Sequence, residues 1–157
     1  MANMVTACTD TVQVSNRTFL VIDEEVLLGE AAADAVAPWD HVAVEGWFAP
    51  AGNGARVTVD TRDQVVDVRF ELWDGPSPPS ETWTKEWRGE LSLYSGKVCL
   101  TDWRENFPPL VVFDLGRRQA RWGVHACMRQ LREPTKSDPQ ITSYDLEFYL
   151  VRFWPEG

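Results

Sequence analysis

Apolar and polar residues alternate with period two along most of this chain, and the clearest instance closes it. In Tyr144-Asp145-Leu146-Glu147-Phe148-Tyr149-Leu150-Val151-Arg152-Phe153-Trp154, the residues Tyr144, Leu146, Phe148 and Leu150 share one face, and Asp145 and Glu147 the other. From Phe148 onward both faces are apolar, with Arg152 as the one interruption. Alternation marks a strand with one wet face, and a short run apolar on both sides marks a strand buried on both. The pattern predicts a closing strand that lies inside a sheet and ends at Pro155, which has no N–H to give a ladder.

The same period recurs upstream. Residues 11–15 and 18–23 read as two strands around a turn at Asn16-Arg17. Glu24 to Val36 is the one helical candidate, rich in Ala, Leu and Glu; acids at its start favour it, Gly29 weakens its middle, and Pro38 ends it. His41 to Phe48 reads as a strand, as do Arg56 to Thr61 and Gln64 to Trp73, the latter two joined by a turn at Arg62-Asp63. The stretch 74–80, with three prolines and a glycine, must be an exposed loop. Thr82 to Tyr94 and Lys97 to Asp102 read as a hairpin about Ser95-Gly96. A break at 106–109 leads to a short strand at 110–115. Gln119 to Arg132 is a long strand with Ala120, Trp122, Val124, Ala126 and Met128 on one face and Arg121, His125 and Arg129 on the other.

Nine or ten short strands, one helical insert and no βαβ alternation predict an all-β, mainly antiparallel fold, a β-sandwich or flattened barrel. A chain of 157 residues is long enough for one full core, so residues 1–157 are read as a single domain, in which residues 1–8 need not be ordered. No apolar run has the length of a membrane span, and no basic segment followed by an apolar one opens the chain; a cytoplasmic protein is expected. Three widely spaced cysteines, Cys8, Cys99 and Cys127, argue against a disulfide framework.

Charge changes the picture. The net charge is −9, and residues 1–50 hold eight acids against one base, Arg17. Such a balance repels phosphate, which disfavours direct nucleic-acid binding, and attracts basic partners. Asp23, Glu24, Glu25, Glu30, Asp34 and Asp40 gather on the helical segment and its flanks. They are the candidate partner-binding patch, with Trp39 and Trp47 as aromatic anchors beside it. The alternative is a solvated helix face that keeps the protein soluble.

Other chemistry is sparse. With His41 and His125 as the only histidines there is no Ser–His–Asp set, and no glycine-rich loop precedes a helix to hold phosphate. No pair of carboxylates stands out, so neither catalytic residues nor a cofactor is expected. His125 and Cys127 can place two metal ligands on one strand face, but no second pair with ligand spacing accompanies them, and no metal is expected. Eight tryptophans are many for this length. Trp73, Trp83, Trp87 and Trp103 form the alternative site, a carbohydrate-stacking platform, if their indoles are exposed. Arg117, Arg118, Arg121, Arg129 and Arg132 form a basic stripe that serves an acidic partner, a nucleic acid or neighbouring acids across the sheet, and the acidity of the rest of the chain opposes the nucleic acid.

Several features in sequence order resemble the competence protein J family, inhibitors of the DNA-entry nuclease of competent bacteria. They are the strand ending at Phe19 to Ile22, the acidic segment with Gly29-Glu30-Ala31-Ala32-Ala33-Asp34, and the strand with Val42, Val44 and Gly46-Trp47-Phe48. The pair around Leu91 to Leu100, Val112-Phe113-Asp114-Leu115-Gly116 before the strand from Gln119, and the closing strand complete the likeness. This resemblance of order and spacing implies a small β-sandwich that blocks a basic enzyme. Together with the charge it leads us to expect a non-catalytic inhibitor or immunity-type module. Its expected partner is a basic protein such as a nuclease, and its oligomeric state is left open.

Overall fold

A computed structural model describes residues 1–14, 16–40, 46–60, 63–79, 82–102, 111–133 and 143–157. Ten strands are present among them: β1 (Met4–Val14), β2 (Thr18–Asp23), β3 (Phe48–Ala51), β4 (Gly54–Thr58), β5 (Gln64–Trp73), β6 (Lys85–Leu93), β7 (Lys97–Thr101), β8 (Phe113–Asp114), β9 (Ala120–Gln130) and β10 (Ser143–Pro155). They form two five-stranded sheets, with orders β1-β5-β10-β9-β6 and β3-β4-β2-β7-β8. The fold is a β-sandwich, and every pairing is antiparallel except β5–β10, which is parallel.

The closing strand does lie inside a sheet. β10 sits between β5 and β9, and a central position needs side chains that tolerate burial on both faces. Its inward set, however, is Tyr149, Val151 and Phe153, not the Leu146, Phe148 and Leu150 set that simple alternation suggests. Asp145 has a positive φ of 57°, and the β5–β10 register shifts between Tyr144 and Phe148. Such an irregularity ends the regular alternation, so Tyr144 is exposed while Leu146 and Leu150 are buried on the outer face. Residues 4–8, which show no helpful pattern, pair with β5 from Trp73 to Phe70.

The main core lies between the sheets. Val66, Val68 and Phe70 of β5, Trp122, Val124, Ala126 and Met128 of β9, and Phe19 and Val21 of β2 meet there. Aromatic edges order it: Phe19 meets Tyr149 at 5.4 Å between centroids, nearly perpendicular, and Phe70 stacks on Phe113 at 5.7 Å. A second, smaller core lies on the outside of the second sheet, where Leu20 and Ile22 of β2 and Cys99 of β7 meet Val26 and Ala37. β2 is therefore apolar on both faces because it is covered on both.

Strands adjacent in sequence often belong to different sheets. The expected hairpin of β6 and β7 does not form: β6 pairs with β9, and β7 with β2 and β8. The same crossing separates β1 from β2 and β4 from β5. At the β6–β7 corner the reason is visible. The buried carboxylate of Asp23 accepts hydrogen bonds from the Ser95 amide (2.7 Å), the Ser95 hydroxyl (2.8 Å) and the Gly96 amide (3.2 Å). Gly96 has φ of 75°, and a Cβ there would collide with the Arg117 carbonyl oxygen. The corner is held to the second sheet instead of folding back as a two-stranded ribbon.

The helical segment shrinks to one turn, α1 (Glu24–Leu27), because Asp23 caps its start through the Glu25 amide (3.1 Å) and Gly29 follows at φ of 73°. The strand expected at 41–48 is seen from Phe48 onward as β3, and residues 41–45 lie outside the described residues. The short strand expected at 110–115 is reduced to Phe113–Asp114.

Replacing Asp23 by Ala leaves two buried amides and a hydroxyl without their acceptor. Each buried donor left unpaired costs about 1–3 kcal/mol, so Asp23→Ala is expected to lower stability by roughly 3 kcal/mol or more. Urea unfolding of the variant checks this, and a midpoint within error of the parent would refute the anchoring role.

Candidate functional site

Asp23 and its flanks position the acidic segment. Val26 and Ala37 enter the second core from its two ends. Between them the chain is fastened by the Asn53 side-chain amide, which donates to the Val36 carbonyl oxygen at 2.7 Å, and by Val36 lying directly on Gly52. The acids of the segment then divide by role. Asp23 is fully buried and its oxygens are used internally. Glu25 makes a bidentate pair with Arg118 at 2.6 and 3.0 Å, a contact that holds its carboxyl below the usual range. Glu24 is half-buried, whereas Glu30 and Asp34 are exposed. The side chain of Asp40 lies outside the described residues.

The apolar residues of this segment are unusually open: Leu28 is 41% exposed, Val36 37% and Trp39 42%. An open groove of about 540 Å³ is lined by Ala32 and Asp34–Val36, the Gly52–Asn53 turn, Ser92–Tyr94 and Gln119–Arg121, so that Asp34 and Arg121 both border it. Trp47 is placed differently. It is half-buried against Phe48 and Tyr149 in the main core and is not presented with Trp39.

The three platform tryptophans among the described residues are not brought together. Trp87 points inward and packs on Phe48 at 4.7 Å. Trp83 precedes β6 and stacks under the Arg129 guanidinium at 4.4 Å, on the outer side of the first sheet, so the two indoles expected to share a face lie on opposite ones. Trp73 is engaged by Glu71 and faces the Arg152 guanidinium at 5.8 Å. Trp103 lies outside the described residues. The arginine stripe is divided in the same way: Arg118 goes to Glu25, Arg121 to Glu90 at 3.6 Å, and Arg129 to Trp83.

The outer face of the first sheet carries a group of ionisable side chains that alternation alone does not assemble. The Glu71 carboxylate accepts from Arg69 Nε (2.8 Å), Arg152 Nε (2.9 Å) and Trp73 Nε1 (3.0 Å). Burial pushes this carboxyl up, but the three donors together outweigh it and hold it below its ordinary value. One strand pair away, His125 Nε2 lies 2.9 Å from Glu86 Oε1 and 3.3 Å from Cys127 Sγ. Burial is the main cause of a lowered His125 pKa, and it pushes the Cys127 thiol up to about 12. His125 and Cys127 are separated by one residue, but Glu86 reaches them only through the β6–β9 register, which sets Glu86 opposite Cys127.

No protein-family model matches the chain, and no curated protein matches it. Two solved structures are similar over nearly the whole length. One is the crystal structure of ComJ from Bacillus subtilis, described as an inhibitor of the DNA degrading activity of NucA. It has 11% identity and a TM-score of 0.60, and 99% of each chain is covered. The other is described as crocagin biosynthetic gene J, with 14% identity, a TM-score of 0.59, and 97% of this chain and 98% of that one covered. The chain resembles ComJ in fold. At these identities the likeness is one of architecture, as the resemblance in element order implies. Among the described residues no helix is long and apolar enough to cross a membrane.

The ComJ-like sheet depends on the Glu71 contacts in a way that pH tests. A carboxyl held low in the folded state contributes stability above its unfolded pKa, near the ordinary glutamate value of 4.5, and loses it as pH falls below that value. Stability is expected to decline below about pH 4.5. Glu71→Gln should cost about 3–5 kcal/mol at neutral pH, because Arg152 is left buried, and should flatten the acid limb. Denaturant midpoints from pH 3 to 7 decide it; an unchanged acid limb in Glu71→Gln assigns the decline elsewhere.

Proposed function

We propose that this protein is a non-catalytic protein-binding module of the inhibitor type, which occludes a basic enzyme such as a nuclease. The observation that carries the reading is the fastening of residues 24–40 from beneath. Asp23, Val26, Ala37 and Asn53 hold the backbone, and Glu30, Asp34, Leu28, Val36 and Trp39 are left facing outward. Exposed acids around open apolar side chains suit a partner with basic residues around an apolar cleft: the charges speed encounter, and a central aromatic supplies contact energy. The likeness to ComJ, described as a nuclease inhibitor, supports the same reading. The excess of acids in residues 1–50 argues for a protein partner and against direct binding of DNA.

The patch is narrower than the acids of its sequence suggest. Asp23 and Glu25 serve the fold, so the proposed contact residues are Glu24, Glu30, Asp34 and Trp39. Trp47, half-buried in the main core, supports the segment's surroundings and is not proposed as an anchor.

The test is capture of partners from the source cells at low and high salt, followed by a DNA-degradation assay of any captured enzyme with the purified chain added back. A basic nuclease that is bound at low salt, released at high salt and inhibited on addition of the chain is the expected result. Glu30→Lys with Asp34→Lys should weaken inhibition about tenfold, mainly through slower association. Trp39→Ala should cost about 2 kcal/mol, or roughly thirtyfold. Inhibition untouched by all three substitutions would remove the interface from this segment, and absence of any inhibited enzyme would remove the inhibitor reading itself.

A further inference from the structure

We propose that Glu86, His125 and Cys127 form a binding site for a zinc-class divalent cation on the outer face of the first sheet. Glu86 Oε1, His125 Nε2 and Cys127 Sγ lie within 4.8 Å of one another. The three come from two strands in fixed register, β6 and β9, which is the rigid support that a metal site needs.

The contacts converge on one atom. A carboxylate and a thiol both address a single ring nitrogen, Nε2, at 2.9 and 3.3 Å. If Nε2 carries a hydrogen, it donates to Glu86 Oε1 with Cys127 Sγ as a second, weaker acceptor, and a cation at this point takes the place of that hydrogen. If Nε2 presents its lone pair to the thiol, the Glu86 carboxylate faces that lone pair with nothing between. A cation at the common point satisfies all three donor atoms together. Tetrahedral zinc places nitrogen, sulfur and oxygen ligands at about 2.0–2.3 Å, so its ligand atoms sit about 3.3–3.6 Å apart. The Glu86–His125 contact at 2.9 Å has to open by about 0.4 Å and the His125–Cys127 contact at 3.3 Å by about 0.3 Å, while Glu86 and Cys127, within 4.8 Å of each other, have to settle at the same spacing. Glu86, half exposed at 50%, has room to make that movement, whereas His125 is held at 1% exposure.

The surroundings fit a mixed thiolate, imidazole and carboxylate site. The imidazole is held toward its neutral, ligating form by burial. Burial pushes the Cys127 thiol up to about 12 despite the opposing pull of Arg152 and Arg88, which flank His125 in the β6–β9–β10 register, so the cation itself has to displace the thiol proton. Arg152 is itself tied to Glu71, so part of its charge is already answered. Nδ1 of His125 is buried without a hydrogen-bond partner among the described residues, so the side-chain contacts that address the ring, Glu86 and Cys127, both do so at Nε2. On binding, the cation forms a bond to Sγ and the Cys127 proton passes to solvent; nothing is oxidised or reduced. Three protein ligands leave a fourth position, on the side of exposed Glu86, for water or a partner's side chain.

Cobalt titration of the full chain at neutral pH tests the site. One Co²⁺ per chain, with a thiolate-to-cobalt charge-transfer band that Zn²⁺ abolishes, is the expected result. Cys127→Ser should lose the band, and Cys8→Ser should keep it. Because Cys127 is buried, Glu86→Gln supplies the variant that leaves the core untouched. It should weaken Co²⁺ binding at least about tenfold with an unchanged circular dichroism spectrum. No charge-transfer band in the parent chain, a band that persists in Cys127→Ser, or affinity unaltered in Glu86→Gln would each overturn the proposal.

Discussion

A single buried carboxylate joins the parts of this sandwich that its sequence keeps apart. Asp23 ends β2, caps α1 and accepts from both amides and the hydroxyl at the β6–β7 corner, 72 and 73 residues away. A carboxylate taken out of water must be met by donors, and few arrangements supply several at once. That requirement fixes where the chain leaves the first sheet for the second. It also fixes the point from which the acidic segment departs, so architecture and proposed interface share one anchor.

The two sheets use their outer faces differently. The second sheet covers its outer face with residues 24–40, which bury Val26 and Ala37 against Leu20, Ile22 and Cys99 and turn their remaining side chains outward. The first sheet carries Glu71, Arg69, Arg152, His125, Glu86 and Cys127 side by side on β5, β10, β9 and β6. Buried ionic contacts of this kind add little net stability relative to apolar replacements, but a broken one is costly. They act to specify register. A slip of β10 against β5 would separate Arg152 from Glu71, which face each other in that register.

The proposed interface and the proposed cation site are thus on opposite sides of the sandwich, and neither relies on the other. The proposed interface comes from one contiguous segment, residues 24–40, whereas the proposed cation site is assembled by strand register. The groove beside residues 32–36 collects side chains from four separate stretches, and the cluster at His125 takes its third member from a strand 39 residues earlier.

The sequence by itself determined the class of fold and most of its strands. Period-two alternation in Gln64 to Trp73 and Gln119 to Arg132, and two-sided apolarity in Phe148 to Trp154, are local consequences of where a strand's side chains point, and no partner need be known to read them. The concentration of acids in residues 1–50 was legible for the same reason. Tertiary structure alone decided which strands pair, which acids face solvent and which tryptophans meet. The Ser95-Gly96 turn reads locally as a hairpin, yet it becomes a corner because Asp23 binds it from another strand. Asp23 and Glu25 look like members of one acidic patch until the donors at Ser95 and Arg118 occupy them. Glu86 is an ordinary wet-face acid until register sets it opposite Cys127. Alternation assigns a residue to a face, but a side chain's partners lie across the sheet, and their distance along the chain leaves no local trace.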